Sequence, residues 1–163
     1  MKKVGIVLGS KSDLPVVEKA MGVLQSYGVP MEVRILSAHR CPNEAREFAQ
    51  TARESGFSVL IAAAGMAAHL AGAFAANTCL PIVGVPIKSS TLDGLDALLS
   101  TVQMPSGMPV ATVAIDGAEN AAILAGQIIS LTDAGLAKRI ADMRKANTEK
   151  VLEKDKKIRE QFA

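Results

Sequence analysis

Five short runs rich in apolar residues constrain the fold of this sequence more than any other feature. The runs are Val4–Leu8, Met31–Leu36, Ser58–Ala63, Ile82–Val85 and Val110–Ile115. Each is followed by a segment whose apolar residues recur at helical spacing. Apolar strands that alternate with helices are typical of a parallel sheet covered by helices on both faces. We therefore predict an α/β fold with three layers.

Start and stop signals place the helices between these strands. Asp13 is a good N-cap for the first helix, Pro15 suits its first turn, and Gly28 ends it. Thr132 or Asp133 caps a last, charged helix. A second helix is predicted to open at Pro42. Three more are predicted over Leu70–Ala76, Leu92–Val102 and Glu119–Leu131. This order predicts a flavodoxin-like fold with a parallel sheet and a C-terminal helix, and residues 1–163 are expected to form a single domain.

The composition argues against disorder and against a nucleic-acid partner. Hydrophobic residues make up 49% of the chain and charged residues 21%, which is not the balance of a disordered protein. The net charge of +2 is too small for a surface that coats polyphosphate. Aromatic residues are only 3%, so the stacking platforms that hold single-stranded nucleic acid are missing.

Membrane and metal classes are also disfavoured. Phe57–Ile87 contains no charged residue, but Pro81 and Pro86 interrupt it, so we predict buried strand, loop and helix rather than a membrane span. Cys41 and Cys79 form no disulfide framework, which predicts a reduced, cytoplasmic protein. The two histidines and two cysteines have no metal-ligand spacing, so no metal site is expected.

Three loops at the predicted carboxyl ends of strands carry the residues suited to chemistry. They are 9–13, 37–42 and 64–72, and they contain His39, Arg40 and His69. Ligands of open α/β sheets bind beyond the carboxyl ends of the strands. Both histidines of the chain therefore fall where a ligand is expected.

In the first loop, the residue types leave two interpretations open. Ser10, Ser12 and Asp13 either cap the first helix or bind a phosphate or sugar at its start. The loop lacks the GK[ST] ending of a P-loop and the GxGxxG pattern of dinucleotide sites.

The second loop favours function over structure. Arg40 can bind phosphate through two parallel hydrogen bonds, and His39 can exchange protons near neutral pH. The alternative is a capping histidine beside a surface arginine. Cys41 is not expected to be a nucleophile, because no His–Asp pair accompanies it.

The third loop and two later segments stay ambiguous. His69 either contacts a substrate carboxylate or hydrogen-bonds within a buried loop. Ser89–Thr91, after Lys88, and Gln103–Gly107 either line the same pocket or form turns.

Together these segments resemble the class I N5-carboxyaminoimidazole ribonucleotide mutase family of purine biosynthesis. The resemblance runs in order through nearly the whole chain. The matching segments are Gly9–Asp13, Ser37–Arg40, Ala67–Leu70, Leu80–Pro86, Gly94–Asp96, Val102–Val110 and Asn120–Ala122.

The resemblance implies an isomerase that acts on a small nucleotide without ATP, metal or organic cofactor. A carboxyl group leaves the exocyclic nitrogen of the aminoimidazole nucleotide as CO2 and is attached to ring carbon C4. His39 is then the implied general acid and base. Arg40 binds the 5′-phosphate, Asp13 the ribose hydroxyls, and Ser10 adds hydrogen bonds, while His69 closes over the imidazole and its carboxylate. The family also implies a homo-octamer, for which the Phe57–Ile87 stretch and the Leu136–Val151 stripe offer apolar surface.

Three positions depart from the family pattern, and two other functions are considered. Met66 stands where the mutases usually have Gly, Ala71 where they have Pro, and Cys41 where Thr is common. A related class II enzyme carboxylates aminoimidazole ribonucleotide directly with CO2, but its loop usually reads Arg-Ser-Asn where this chain has Ala67–His69. The other alternative is a flavodoxin-like module that binds a phosphorylated ligand without catalysis, which the scarcity of aromatic residues argues against.

Overall fold

The predicted strands form one parallel sheet in the computed structural model of the chain, which describes residues 2–163. The strands are β1 (Lys3–Leu8), β2 (Met31–Ile35), β3 (Phe57–Gly65), β4 (Ile82–Ile87) and β5 (Ala111–Thr112). Their order in the sheet is β2-β1-β3-β4-β5, and all neighbours are parallel. This is the flavodoxin-like order, so the predicted fold class is confirmed.

Helices cover both faces of the sheet. They are α1 (Leu14–Ser26), α2 (Pro42–Thr51), α3 (Leu70–Ala75), α4 (Leu95–Val102), α5 (Ala118–Ser130) and α6 (Ala134–Gln161), and a 3₁₀ turn (Lys11–Asp13) precedes α1. Val17 and Leu24 of α1 pack with alanines of α5 on one face. Ala49 of α2 and Phe74 of α3 pack on the other. The three predicted layers therefore follow from one apolar stripe on each helix.

The first helix has the predicted boundaries but a different cap. Gly28 takes a left-handed backbone with φ of 65°, which a glycine adopts without steric cost, and ends α1. Asp13 lies at the N-cap position, yet its side chain makes no capping bond to α1. Ser10 caps the preceding 3₁₀ turn by accepting a hydrogen bond from the Ser12 amide. The extra turn carries the carboxylate of Asp13 away from the free N–H groups of α1.

Two elements near β4 are shorter than predicted. Helix α4 begins at Leu95 rather than Leu92, because Leu92, Asp93 and Gly94 have φ values of 52°, 52° and 92°, which a right-handed helix does not allow. Strand β5 covers only Ala111–Thr112 of the predicted Val110–Ile115. It lies at the edge of the sheet, where one neighbouring strand supplies all of its partners.

The last helix packs against the core at its start and lies on the surface further along. Asp133 caps α6 by accepting a hydrogen bond from the Leu136 amide at 2.9 Å. Leu136 and Ile140 are buried, but Val151 is 64% exposed. The uncharged Phe57–Ile87 stretch forms β3, α3 and β4, as predicted. Within residues 2–163, none of the helices combines the length and the apolar character needed to cross a bilayer.

Candidate active site

A cavity of about 470 Å³ opens at the carboxyl ends of the strands, where β1 lies between β2 and β3. The chain leaves β1 towards β2 on one side and continues to β3 on the other, so the helices diverge there and leave space for a ligand. Ser10, Asp13, His39, Arg40 and His69 all line this cavity. The structure thus brings together the five residues that the resemblance assigned to the site.

Asp13 is the buried charge of the cavity. Asp13 as a whole is only 6% exposed. The Ser10 amide and the Ser12 hydroxyl donate to its two carboxylate oxygens, each at 3.2 Å. Burial raises the pKa of Asp13 above its ordinary value, and these two hydrogen bonds oppose that rise only in part. Each oxygen keeps a further lone pair that a ligand hydroxyl can use.

The Asp13→Asn substitution is expected to stabilise the protein at pH 7. The folded-state pKa of Asp13 is raised, so the protonated carboxyl group favours the folded state. That stabilisation is fully present below the ordinary carboxyl pKa, and it is lost as pH rises through the raised pKa of the folded protein. Asparagine does not ionise, so thermal unfolding should show a gain in Tm at pH 7 that shrinks at pH 4. An equal gain at both pH values, or a loss at pH 7, would contradict this.

The second loop holds His39 and Arg40 on an ordered turn. The Cys41 amide donates to the Ser37 carbonyl at 2.9 Å, and the Arg40 amide donates to the Ser37 hydroxyl at 3.2 Å. The Cys41 sulfur lies 3.1 Å from the Ser37 amide and 3.2 Å from its carbonyl. Its bonds to the turn agree with a structural role rather than a nucleophilic one. His39 and Arg40 stand exposed at the tip, facing the cavity mouth.

The third loop fixes the position and the tautomer of His69. The His69 Nδ1 lies 3.2 Å from the Ser100 carbonyl oxygen, which can only accept. Nδ1 must therefore carry the proton, and Nε2 of the neutral ring is left as an acceptor. His69 thus bonds to its surroundings and also lines the cavity, and it is exposed rather than buried.

Close packing against α3 and α4 supports that ring. A Cβ placed on Gly72 would lie 2.3 Å from His69 Cε1, so the ring can only take this position beside a glycine. The Thr101 hydroxyl reaches the Ala68 carbonyl at 3.0 Å and the Ala97 carbonyl at 2.8 Å. The loop before α3 is therefore tied to α4 at two successive residues.

Met66, one of the departures from the family pattern, has an unusual backbone conformation. Its backbone is left-handed, with φ of 58°, and its side chain is 66% exposed at the cavity. Glycine adopts such a backbone freely, whereas another L-residue loses roughly 1–2 kcal/mol. A left-handed backbone is a conformational reason to prefer Gly at this position, where this chain has Met.

The end of β4 contributes Lys88, to which the sequence analysis gave no role, and Ser89, for which it left a pocket and a turn open. Lys88 and Ser89 line the cavity, whereas Ser90–Thr91 and Gln103–Gly107 are not among its lining residues. The Lys88 amide donates to Asp116 Oδ1 at 2.9 Å, and its ammonium lies 3.0 Å from Asp93 Oδ1. The available signal was that Lys88 directly follows the apolar run of β4.

The arrangement of charges indicates what the cavity can bind. Arg40 lies beyond β2 and Lys88 beyond β4, so cationic groups stand at opposite ends of the cavity. His39 stands beside Arg40, while the buried Asp13 and His69 follow the two strands between them, β1 and β3. In the part of the chain described, residues 2–163, no three His, Cys, Asp or Glu side chains are grouped to hold a metal ion. Such a site can grip an anion and exchange protons beside it.

Comparison with known proteins gives the same family from three directions. The family model described as AIR carboxylase matches residues 3–150. A protein of Pyrococcus horikoshii named N5-carboxyaminoimidazole ribonucleotide mutase is 53% identical over 157 residues, covering 96% of this chain and 89% of that protein. A protein of Vigna aconitifolia named phosphoribosylaminoimidazole carboxylase, chloroplastic, is 49% identical over 94% of this chain and 28% of its own length.

A solved structure agrees in the arrangement of the backbone. The crystal structure of Treponema denticola PurE has a TM-score of 0.87 and 29% identity, covering 96% of this chain and 98% of that one. The family match extends over most of the sequence and includes all three loops that line the cavity. The chain therefore belongs to the AIR carboxylase family.

Proposed function

We propose that this chain is an N5-carboxyaminoimidazole ribonucleotide mutase, an isomerase of de novo purine (IMP) biosynthesis. It would convert N5-carboxyaminoimidazole ribonucleotide to 4-carboxyaminoimidazole ribonucleotide. The observation that carries the proposal is the cavity at the carboxyl ends of the strands, which is lined by His39, Arg40 and His69. Membership of the family and the name of the Pyrococcus horikoshii relative support it.

A single histidine can balance the protons of this reaction. As an imidazolium, His39 gives a proton to the exocyclic nitrogen while the bond from that nitrogen to the carboxyl carbon breaks, leaving aminoimidazole ribonucleotide and CO2. Ring carbon C4 then attacks the CO2, and neutral His39 takes the proton that C4 loses. Imidazole suits both steps because it titrates near neutral pH. Among residues 2–163, neither ring nitrogen of His39 has a hydrogen-bond partner, which leaves both available to substrate.

The other cavity residues would bind and orient the nucleotide. Arg40 is proposed to bind the 5′-phosphate, and Asp13 to accept hydrogen bonds from the ribose hydroxyls, with Ser10 adding a hydroxyl beside them. His69 would lie over the imidazole and its carboxylate. The volume of about 470 Å³ is in the range of small-molecule sites. Such a site keeps CO2 close to C4, which favours recombination over escape.

Two parallel assays test the proposed reaction. One supplies the N5-carboxy nucleotide, and the other supplies aminoimidazole ribonucleotide with bicarbonate; both follow formation of the 4-carboxy product against an enzyme-free blank. We expect efficient turnover in the first. Turnover in the second alone would move the assignment to a direct carboxylase. Inactivity in both would favour a binding module without catalysis.

We further propose a homo-oligomer, an octamer by family resemblance. Helix α4 exposes apolar side chains one turn apart, and the outer part of α6 exposes others. These residues are Leu95, Leu99, Val102, Val151, Leu152 and Ile158, each at least 45% exposed. Exposed apolar residues at this spacing are typical of surfaces that pack against another chain.

Light scattering at micromolar concentration is therefore expected to give a mass larger than that of a dimer. The Leu99→Glu substitution should lower that mass, because it places a charge on the apolar side of α4. A monomer for the unmodified chain would refute the proposal.

Net charge and cysteine chemistry support the remaining proposed features. The modest net charge of +2 supports a protein without a nucleic-acid partner. A half-buried Cys41 and an exposed Cys79, both free thiols, are compatible with a cytoplasmic protein. We propose that residues 1–163 act as one domain without a cofactor.

A further inference from the structure

Two cationic side chains reach the cavity from strands that are not neighbours. Arg40 follows β2, and Lys88 is the first residue after β4; β1 and β3 lie between them. Adjacent strands lie about 4.8 Å apart, so β2 and β4 are separated by about 14 Å. Two side chains that extend inward from such positions can hold the two ends of one small ligand.

The ligand of the proposed reaction carries an anionic group at each end. Substrate and product both have a phosphate on the ribose and a carboxylate on the aminoimidazole, whereas decarboxylated aminoimidazole ribonucleotide has only the phosphate. With the phosphate at Arg40, the carboxylate points towards the β4 side of the cavity. We propose that Lys88 binds this carboxylate and so distinguishes the carboxylated nucleotides from the decarboxylated one. The inference rests on the proposed function and adds a specificity residue to it.

The base of the Lys88 side chain is fixed by backbone contacts. Its amide donates to Asp116 Oδ1 at 2.9 Å, and the Asp116 amide donates to the Pro86 carbonyl at 2.9 Å. Asp116 thus bonds to both Pro86 and Lys88 and holds the chain in place at the end of β4. Among the residues that line the cavity, Lys88 is the single lysine. The main chain of Lys88 is thus held at one place in the rim, and its side chain extends from there.

The present partner of that ammonium is itself a carboxylate. Asp93 Oδ1 lies 3.0 Å from Lys88 Nζ, and the two side chains are 83% and 57% exposed. Exposed ion pairs contribute little to stability, so another carboxylate can replace Asp93 at low cost. Asp93 occupies a left-handed position with φ of 52°, on the segment that joins β4 to α4. It therefore competes with the ligand for the same cation.

Two substitutions should change ligand selectivity in opposite directions. Lys88→Gln removes the charge and leaves a polar side chain one atom shorter, and should raise the Kd of the 4-carboxy nucleotide roughly tenfold. The Kd of aminoimidazole ribonucleotide should stay within about twofold, because that ligand has no carboxylate. Asp93→Asn removes the competitor and should lower the Kd of the 4-carboxy nucleotide about threefold. Asparagine tolerates a left-handed backbone, so the segment keeps its shape.

Calorimetric titration of the full chain with both nucleotides measures these constants without turnover. Lys11→Gln serves as the control, because Lys11 is exposed at the same edge of the sheet but does not line the cavity. It should leave the ratio of the two Kd values unchanged. An unchanged ratio in Lys88→Gln, or equal weakening of both ligands, would overturn the inference while leaving the mutase intact. Failure of the unmodified protein to bind either nucleotide would overturn the proposed function as well.

Discussion

Replacing His39 with asparagine is expected to abolish turnover while nucleotide binding persists. General acid–base catalysis by one group contributes about 10²–10⁴-fold, and here the same imidazole is proposed to act in both halves of the reaction. Asparagine keeps a polar side chain of similar reach but cannot carry a proton near neutral pH. Arg40 and Asp13 stay in place, so the Kd of the nucleotide should change only a few-fold, as measured by calorimetry beside steady-state rates.

A neighbouring substitution separates loss of the proton carrier from disturbance of its turn. Glu44 lies in the first turn of α2, is exposed, and does not line the cavity. Glu44→Gln should therefore retain the rate of the unmodified protein. Near-normal turnover in His39→Asn would place the proton carrier elsewhere in the cavity, and His69 would then be the first candidate.

A single added methyl group at Gly72 is expected to cause the second-largest loss. The new Cβ of Gly72→Ala would lie 2.3 Å from His69 Cε1 and 2.6 Å from Nε2, so the ring must leave its place. Because His69 is exposed, the ring can swing towards solvent without disturbing the core. We expect activity to fall by about 10²-fold, the effect of misplacing a site group by an ångström, with little change in Tm.

Gly22 provides the matched control for that experiment. It lies within α1, is exposed, and has no atom within 4 Å of the position its Cβ would take. Gly22→Ala should stabilise the protein by about 0.5–1 kcal/mol, because alanine loses less backbone freedom in a helix. A large drop in Tm for Gly72→Ala, or full activity, would contradict the positioning of His69 by Gly72.

Much of the sheet could be predicted because its central strands, β1, β3 and β4, are largely buried. Runs such as Val4–Leu8 and Ile82–Val85 leave no polar residue for a solvent face, which favours the central strands of a parallel sheet. The location of the site followed from the same argument, since His39 and His69 lie in the loops that follow two of the strands. The edge strand β5 was overestimated because an apolar run does not reveal how many partners its backbone will find.

The parts that could not be predicted depend on backbone conformation and on distant contacts. Leu92 and Asp93 adopt left-handed backbones that their residue types do not signal, so the predicted helix started too early. The bond from His69 to the Ser100 carbonyl joins segments that local pattern cannot relate. Lys88 was overlooked for a similar reason, because a lysine after a strand usually points to water, and only the fold shows that it lines the cavity.

Helix α4 has a mechanical consequence for the cavity. It receives the bond of His69 at Ser100, holds the Ala68 carbonyl through Thr101, and accepts from the Ser89 hydroxyl at Asp96. The loop before α3 and the segment after β4, which form two walls of the cavity, are therefore both bonded to α4. A force applied to the outer side of α4, away from the cavity, would displace both walls together and alter the shape of the cavity.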